Sequence, residues 1–135
     1  ESITKQRYNG FGVKADVVDY IDDIAGAYQN SDLIICRSGA MTIAEITVAG
    51  LPAILVPFPS AVDDHQTCNA NFLVHHGAAY LISQDDLSSV SLANVLKQLL
   101  GNPSRLMELA EKARSLACPD AAERVAEVCL EKLGA

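Results

Sequence analysis

The apolar positions of this chain fall into short continuous runs that alternate with segments of helical spacing. The runs Leu33–Cys36, Ala53–Val56 and Ala79–Ile82 are apolar throughout, which is typical of strands buried on both faces of a parallel sheet. A fourth run, Val17–Ile21, is more polar but rich in β-branched side chains, and it also predicts a strand. The pattern therefore predicts four strands.

Segments with apolar residues three or four positions apart fill the intervals and predict helices. Strand and helix alternating at short intervals indicate an α/β fold, with a Rossmann-like parallel sheet and flanking helices. The predicted helices are a polar one at Glu1–Tyr8, one near Ile24–Tyr28 capped by Asp22 and Asp23, Thr42–Ala49 ending at Gly50, Gln66–His76 closing at Gly77, Val90–Leu100, Ser104–Leu116, and a last one from Pro119-Asp120 to Leu133 with Val125, Val128, Cys129 and Leu133 along one stripe.

In a parallel sheet, ligands gather beyond the carboxyl ends of the strands. Three predicted loops, Ile21–Asp23, Arg37–Thr42 and Pro57–Gln66, leave that edge. We therefore expect any functional site to lie there.

Composition limits the partners and the compartment. The chain has 135 residues, a formal net charge of −7 and ten scattered lysines and arginines, so it shows no basic face for nucleic acid. No apolar run reaches the roughly 20 residues of a membrane span, and no signal peptide opens the chain, which favours a cytoplasmic location. Four cysteines without metal-like spacing are expected to be reduced thiols in or near the core: Cys36, Cys68, Cys118 and Cys129.

The segment Leu33–Glu45 carries the most informative chemistry. A strand stops at Ser38-Gly39 and a helix follows at once, so free backbone N–H groups and the helix dipole meet at the ligand edge, as a phosphate site requires. Ser38 or Thr42 could cap that helix or bond a phosphate oxygen, and an ordinary strand-to-helix turn with a serine cap is the alternative. Glu45 could accept hydrogen bonds from a ribose diol, or could simply complement the helix dipole at the surface.

Two further groups are open to more than one interpretation. Arg37 is either a ligand contact or a structural partner of a nearby aspartate, namely Asp22, Asp23 or Asp32. The cluster Asp63-Asp64-His65 could bind a divalent metal, but contiguous ligands of this kind are not a recurrent spacing, and Asp64 could instead cap the next helix.

Gln66 and Asn69 lie three residues apart on one helical face, and their neutral amides suit sugar hydroxyls. No Ser-His-Asp or Cys-His arrangement can be placed, so the residues show no nucleophile motif.

Several motifs, in order, resemble the MurG family of peptidoglycan N-acetylglucosaminyltransferases. They are Cys36-Arg-Ser-Gly-Ala-Met-Thr-Ile-Ala-Glu-Ile46, Ala49-Gly-Leu-Pro-Ala53, Val56-Pro-Phe58, Asp64-His-Gln-Thr-Cys-Asn-Ala70 and Pro119-Asp-Ala-Ala-Glu-Arg124. The resemblance implies the C-terminal, donor-binding half of a GT-B glycosyltransferase, with residues 1–135 forming one partial nucleotide-sugar-binding domain. It also implies inverting transfer of GlcNAc from UDP-GlcNAc to lipid I, giving lipid II.

The resemblance assigns donor contacts to individual residues. The backbone of Ile21 would read the uracil edge with Arg37 near the base, and Glu45 would hold the ribose hydroxyls. The diphosphate would lie on the backbone of the turn between them, within the segment Ser38, Gly39, Ala40, Met41, Thr42, Ile43 and Ala44, chiefly on the N–H groups of Ala40, Met41 and Thr42. The GlcNAc ring would contact His65, Gln66 and Asn69.

The resemblance also implies what lies outside this chain. The acceptor domain, with its general base and membrane-contacting patch, would be absent. This fragment would therefore contain no catalytic residue and would be inactive alone. The resemblance implies no tightly bound metal or cofactor. The whole enzyme would be peripheral on the cytoplasmic face of the bacterial inner membrane. In the family, two strands precede those seen here, so the sheet is expected to lack its first strands. The alternatives are a donor subunit of a two-subunit UDP-GlcNAc transferase and a non-catalytic α/β ligand-binding module.

Overall fold

Three short parallel strands form the centre of the molecule. The computed structural model describes residues 3–59 and 64–134. The strands are β1 (Ile34–Cys36), β2 (Ala53–Leu55) and β3 (Ala79–Leu81), in the order β1-β2-β3. Both pairings are parallel and in step, so that Ile54 lies opposite Ile35 on one side and Tyr80 on the other. The predicted parallel α/β sheet is confirmed.

Helices fill the intervals between the strands, and further helices precede β1 and follow β3. At most of their ends, the predicted helices are confirmed to within two residues. They are α1 (Ile3–Gly10), α2 (Ile24–Gln29), α3 (Ala40–Ala49), α4 (His65–His75), α5 (Ser89–Leu100), α6 (Pro103–Ser115) and α7 (Ala121–Leu133).

The predicted strand at Val17–Ile21 is wrong. Residues 13–23 hold neither helix nor strand, and side chains of this segment are exposed, Val18 at 63% and Tyr20 at 78%. β-propensity reflects packing against neighbouring strands rather than an intrinsic backbone preference. Within the described residues, the three strands pair only with one another. The segment has no partner there, so its β-branched composition does not produce a strand.

The central strand β2 carries the core because both of its faces are covered. Its three residues are completely buried, and alternate side chains point to opposite faces, as the two-residue period of a strand requires. Ala53 and Leu55 belong to a cluster with residues of α3 and α4, while Ile54 belongs to a second cluster with residues of α5 and α6. The main partners are Ile46 and Leu73 on the first face, and Leu99 and Leu109 on the second.

The strand β1 is less completely covered than β2. In the described part of the chain it pairs on one side only, and Ile35 remains 47% exposed. Ile34 is half-buried, whereas Val56, just beyond the end of β2, is buried. Burial therefore decreases from β2 towards the outer edge of β1.

Local capping explains where several helices begin and end. Asp23 accepts a hydrogen bond from the Gly26 N–H at 2.8 Å, which confirms the predicted cap of α2. Ser88 and Ser91 form a reciprocal capping box at the start of α5. The helix α3 ends at Gly50, which has a φ of +66°, a left-handed conformation that glycine adopts without steric cost.

The helix α2 packs on α3 and is tied to it by one side-chain hydrogen bond. The Tyr28 hydroxyl donates to the Glu45 carboxylate at 2.9 Å. Burial, followed by this hydrogen bond and the negative charge of Glu45, raises the pKa of Tyr28 to about 12. Tyr28 is therefore held as a neutral donor in the folded protein.

The last helix, α7, is amphipathic but leaves its apolar stripe in solvent. Val125, Val128 and Leu133 are between 56% and 79% exposed. With 13 residues, α7 and α6 are well short of the roughly 20 residues that cross a bilayer. Across the described segments, no helix combines the length and apolar character of a membrane span.

The cysteines are free, as predicted, but most of them are not in the core. Cys36 is half-buried, and burial raises the pKa of its thiol to about 11, so it stays protonated at neutral pH. Cys68, Cys118 and Cys129 are exposed. The expected core location is wrong for these three because they lie on solvent-facing parts of α4 and α7 and of the turn between α6 and α7.

Two adjacent leucines of α5 provide a matched test of this core. Leu99 is completely buried, whereas Leu100 is 59% exposed. Leu99→Ala should lower the free energy of unfolding by about 2–5 kcal/mol because it leaves a cavity. Leu100→Ala should change it by less than about 1 kcal/mol. Urea unfolding followed by circular dichroism compares the two, and equal losses would contradict the assigned packing.

The Tyr28 contact predicts a pH-dependent stability. Since the pKa of Tyr28 is raised in the folded state, its contribution is complete below about pH 10, the usual tyrosine pKa, and is lost as the pH rises through about 12. Unfolding free energies measured between pH 8 and pH 11 should fall less steeply in Tyr28→Phe than in the wild type. Tyr20→Phe, at an exposed position, should keep the wild-type slope.

Candidate functional site

The carboxyl ends of the three strands meet at one edge, and Arg37 connects all three. Arg37 follows β1 directly. Its Nη1 donates to the carbonyl oxygens of Val56 at 3.1 Å and Pro57 at 3.0 Å, just beyond β2. Its Nη2 donates to Oε1 of Gln84, beyond β3, at 2.7 Å. The guanidinium group therefore bridges three consecutive strand ends.

Arg37 is thus a structural partner, but not of the residues that the sequence predicted. Among the residues placed in the structure, no ion pair joins it to Asp22, Asp23 or Asp32. Its guanidinium carbon instead lies 5.5 Å from the centre of the Phe58 ring, within cation–π range. The aspartates were plausible from charge alone, whereas the backbone carbonyls that accept its bonds carry no signal in the sequence.

The N-terminus of α3 is the structural feature expected of an anion site. Gly39 is the N-cap residue, with φ −63° and ψ 148°, and no side chain caps the helix. The first backbone bond runs from the Ile43 N–H to the Gly39 carbonyl at 2.9 Å. The N–H groups of Ala40, Met41 and Thr42 precede it and have no partner within the helix. Of the two alternatives for Ser38 and Thr42, a side-chain cap of α3 is wrong.

Ser38 turns into the protein instead of capping α3. Its side chain is completely buried, and its hydroxyl donates to the Gln66 carbonyl at 2.8 Å. In return, the Asn69 side-chain amide donates to the Ser38 carbonyl at 3.0 Å. Two segments that the sequence singled out separately, the turn before α3 and the first turn of α4, are therefore bonded to each other from both sides.

Gln66 and Asn69 lie in the first turns of α4, three residues apart on one helical face as predicted, and both are half-buried. The Gln66 side-chain oxygen accepts the Phe58 N–H at 3.0 Å. The amide nitrogen of Gln66 is left to donate, and the amide oxygen of Asn69 is left to accept.

The acidic cluster before α4 gives no metal site in the described residues. Asp63 lies outside them. Asp64 is the N-cap residue of α4, which is the alternative position considered for it, but it has a left-handed conformation with φ 52° and its side chain makes no capping bond. His65 is exposed at the first position of α4. Over residues 3–59 and 64–134, no group of three or more His, Cys, Asp or Glu side chains could hold a metal ion.

Glu45 lines a cleft of about 500 Å³ between α2, α3 and the end of α6. Glu45 is exposed, and its carboxylate accepts the hydrogen bond from Tyr28, which also lines the cleft. Ala44 and Val48 form the α3 wall, and Arg114 contributes a positive charge from α6. A ligand that reached the start of α3 would meet Glu45 about one and a half turns further along the helix.

Ile21 lies in the irregular segment before α2 and is 46% exposed. It lines a neighbouring groove that shares Ile24 with the Glu45 cleft. Ile43, in contrast, is half-buried and packs against the core under α3. The predicted residues therefore separate into a group around the start of α3 and α4 and a group around α2.

Sequence reasoning missed two residues that organise this edge, Gln84 and Tyr28. A signal existed for Gln84, since it follows the third apolar run and must lie at the same edge as Arg37. Tyr28 offered none, because its contact with Glu45 depends on how α2 packs against α3.

A family model described as the glycosyltransferase family 28 C-terminal domain matches residues 1–125. A protein of Dechloromonas aromatica is 55% identical over 129 residues, covering 94% of this chain and 35% of its own length. Its name is UDP-N-acetylglucosamine–N-acetylmuramyl-(pentapeptide) pyrophosphoryl-undecaprenol N-acetylglucosamine transferase. A protein of the same name from Methylococcus capsulatus is 52% identical, covering 98% of this chain and 37% of its own length.

Solved structures agree with these relatives. MurG of Acinetobacter baumannii superposes with a TM-score of 0.78 at 44% identity, covering 86% of this chain and 33% of that chain. The glycotransferase of kitacinnamycin shares the fold, with a TM-score of 0.60 at 22% identity, and the match covers 83% of this chain and 29% of that chain. The chain spans about a third of the length of the relatives it matches. The expected resemblance to MurG is confirmed, and the chain belongs to the glycosyltransferase family 28 C-terminal domain family.

Proposed function

We propose that this chain is the donor-binding part of an inverting N-acetylglucosaminyltransferase. The enzyme would transfer GlcNAc from UDP-GlcNAc to lipid I, giving lipid II for peptidoglycan synthesis. The names of the relatives support this choice of donor and lipid-linked acceptor. The observation that carries the proposal is the uncapped N-terminus of α3 at the carboxyl edge of the sheet, with Glu45 further along the same helix.

The start of α3 suits the diphosphate of the donor. Departure of UDP leaves negative charge on the diphosphate, and this charge grows as the glycosidic bond breaks. The N–H groups of Ala40, Met41 and Thr42 and the positive end of the helix dipole would stabilise that charge more in the transition state than in the ground state. Because these donors are fixed by the helix, they need no reorganisation during the reaction.

The remaining donor contacts follow from position. Glu45 would accept hydrogen bonds from the ribose hydroxyls while Tyr28 orients its carboxylate. The backbone of Ile21, beside the same cleft, would contact the uracil. Gln66 and Asn69, with His65 next to them, would contact the GlcNAc ring. Arg37 uses its guanidinium within the protein, so we place it behind the site rather than against the base.

We propose that the other functions belong to parts of the enzyme outside the matched third. These are the acceptor site, the general base that deprotonates the acceptor hydroxyl, and the surface that touches the cytoplasmic face of the inner membrane. Residues 1–135 would then form one partial domain without a catalytic residue of its own.

Glu45→Ala tests the ribose contact. Loss of a charge-assisted hydrogen bond should weaken UDP-GlcNAc binding by about 1.5–3 kcal/mol, or roughly 10- to 150-fold. Titration calorimetry measures this, and Tyr28→Phe, which keeps the carboxylate, should cause a smaller loss. Unchanged affinity in Glu45→Ala would refute the ribose role. A wild-type protein that binds no uridine nucleotide would favour the alternative of a non-catalytic ligand-binding module.

Gly39→Ala tests whether a ligand lies over the start of α3. A Cβ at Gly39 would meet only the Thr42 hydroxyl, at 3.9 Å, and the φ of Gly39 is ordinary for any residue. The unfolding free energy should therefore change by less than about 1 kcal/mol. The added methyl group would nevertheless obstruct a diphosphate approaching the backbone, and UDP binding should weaken by about tenfold or more.

Gly10→Ala is the matched control, because a Cβ there meets nothing within 4 Å and Gly10 lies at the end of α1. It should leave UDP binding unchanged. Equal UDP affinity in wild type and Gly39→Ala would place the ligand elsewhere.

A further inference from the structure

The bridge formed by Arg37 continues into the residue that would face the sugar. Arg37 bonds two consecutive carbonyls, those of Val56 and Pro57, which fixes the first residues of the loop after β2. The next residue, Phe58, packs against the guanidinium group and donates its N–H to Gln66. An unbroken series of contacts therefore runs from Gln84 through Arg37 and the loop to the side chain of Gln66.

These contacts decide which way the Gln66 amide faces. The Phe58 N–H can only donate, so the oxygen of the amide must face it and the NH₂ group must face away. At Asn69 the orientation is reversed. The Ser38 carbonyl can only accept, so the NH₂ group of Asn69 faces it and the amide oxygen faces away. The two side chains together present a donor from Gln66 and an acceptor from Asn69 at the start of α4.

A fixed donor beside a fixed acceptor can discriminate between sugars. A hydroxyl group at the right position donates to one and accepts from the other, whereas its epimer leaves a polar group unpaired. If the Gln66 amide were free to rotate, either epimer could find a partner, and the discrimination would be lost.

We propose that Gln84 and Arg37 are positioning residues for sugar recognition. The Gln84 side-chain oxygen accepts a hydrogen bond from Arg37 Nη2 at 2.7 Å, which holds the guanidinium group in place. Arg37 in turn holds the loop whose Phe58 N–H orients the Gln66 amide. Gln84 lies beyond β3, and no predicted donor contact involves it. This inference rests on the proposed function, because it concerns the sugar of the same nucleotide ligand.

Gln84→Leu removes the acceptor and leaves an apolar side chain one bond shorter. The ratio of dissociation constants for UDP-GalNAc and UDP-GlcNAc, which differ only in the configuration at C4, should fall by about tenfold. The affinity for UDP alone should stay within about twofold of wild type, since UDP lacks the GlcNAc ring. Titration calorimetry with the three ligands gives all of these values, and urea unfolding checks that the variant is folded.

Gln84→Glu should restore the selectivity ratio, because a carboxylate also accepts the hydrogen bond from Arg37. The ratio cancels any general effect of the added charge on nucleotide binding. Arg37→Lys should behave like Gln84→Leu, since a single ammonium group cannot hold the two carbonyls and Gln84 in the same planar geometry. Gln98→Leu, on the exposed side of α5, is the control and should change neither value.

The outcomes separate this inference from the function on which it rests. A Gln84→Leu protein that keeps the wild-type selectivity ratio overturns the positioning role and leaves the proposed function intact. A loss of UDP affinity with an unchanged ratio also overturns it, because the residue would then act on the whole site. A wild-type protein that does not bind UDP contradicts the proposed function itself.

Discussion

Parallel pairing of the three strands is the constraint on which the rest of the structure depends. Because the strands run in one direction and in step, their carboxyl ends lie side by side, and one arginine can reach all of them. Burial of β2 on both faces fixes this arrangement through two separate apolar clusters. Arg37 and Gln84, the side chains that join the strand ends, belong to neither cluster. The core packing therefore fixes the positions of the strand ends from which these side chains extend.

Most of the architecture could be predicted from the sequence because it is recorded locally. Continuous apolar runs mark β1, β2 and β3, and residues such as Asp23 and Gly50 mark helix ends through their own side-chain and backbone chemistry. Val17–Ile21 shows where local information fails. Its composition suits a strand, but a strand also requires a neighbour, and the residues described supply none.

The site was less predictable because its side chains act over long separations in the sequence. Arg37 was recognised as important, yet its partners lie 19, 20 and 47 residues away, and two of them are backbone carbonyls. The open start of α3 could be predicted, since it needs only a strand, a turn and a helix in that order. The inward turn of the Ser38 hydroxyl could not, because it depends on where the first turn of α4 lies.

The reciprocal bonds of Ser38 have a mechanical consequence. Since Ser38 bonds to Gln66 and accepts from Asn69, the beginnings of α3 and α4 are locked into a single body. Neither helix can swing away to admit a ligand without breaking two hydrogen bonds around a completely buried hydroxyl group. Entry and exit of any ligand must then rely on motion elsewhere, and the start of α3 and the amide side chains of α4 keep the same spacing whether or not anything lies between them.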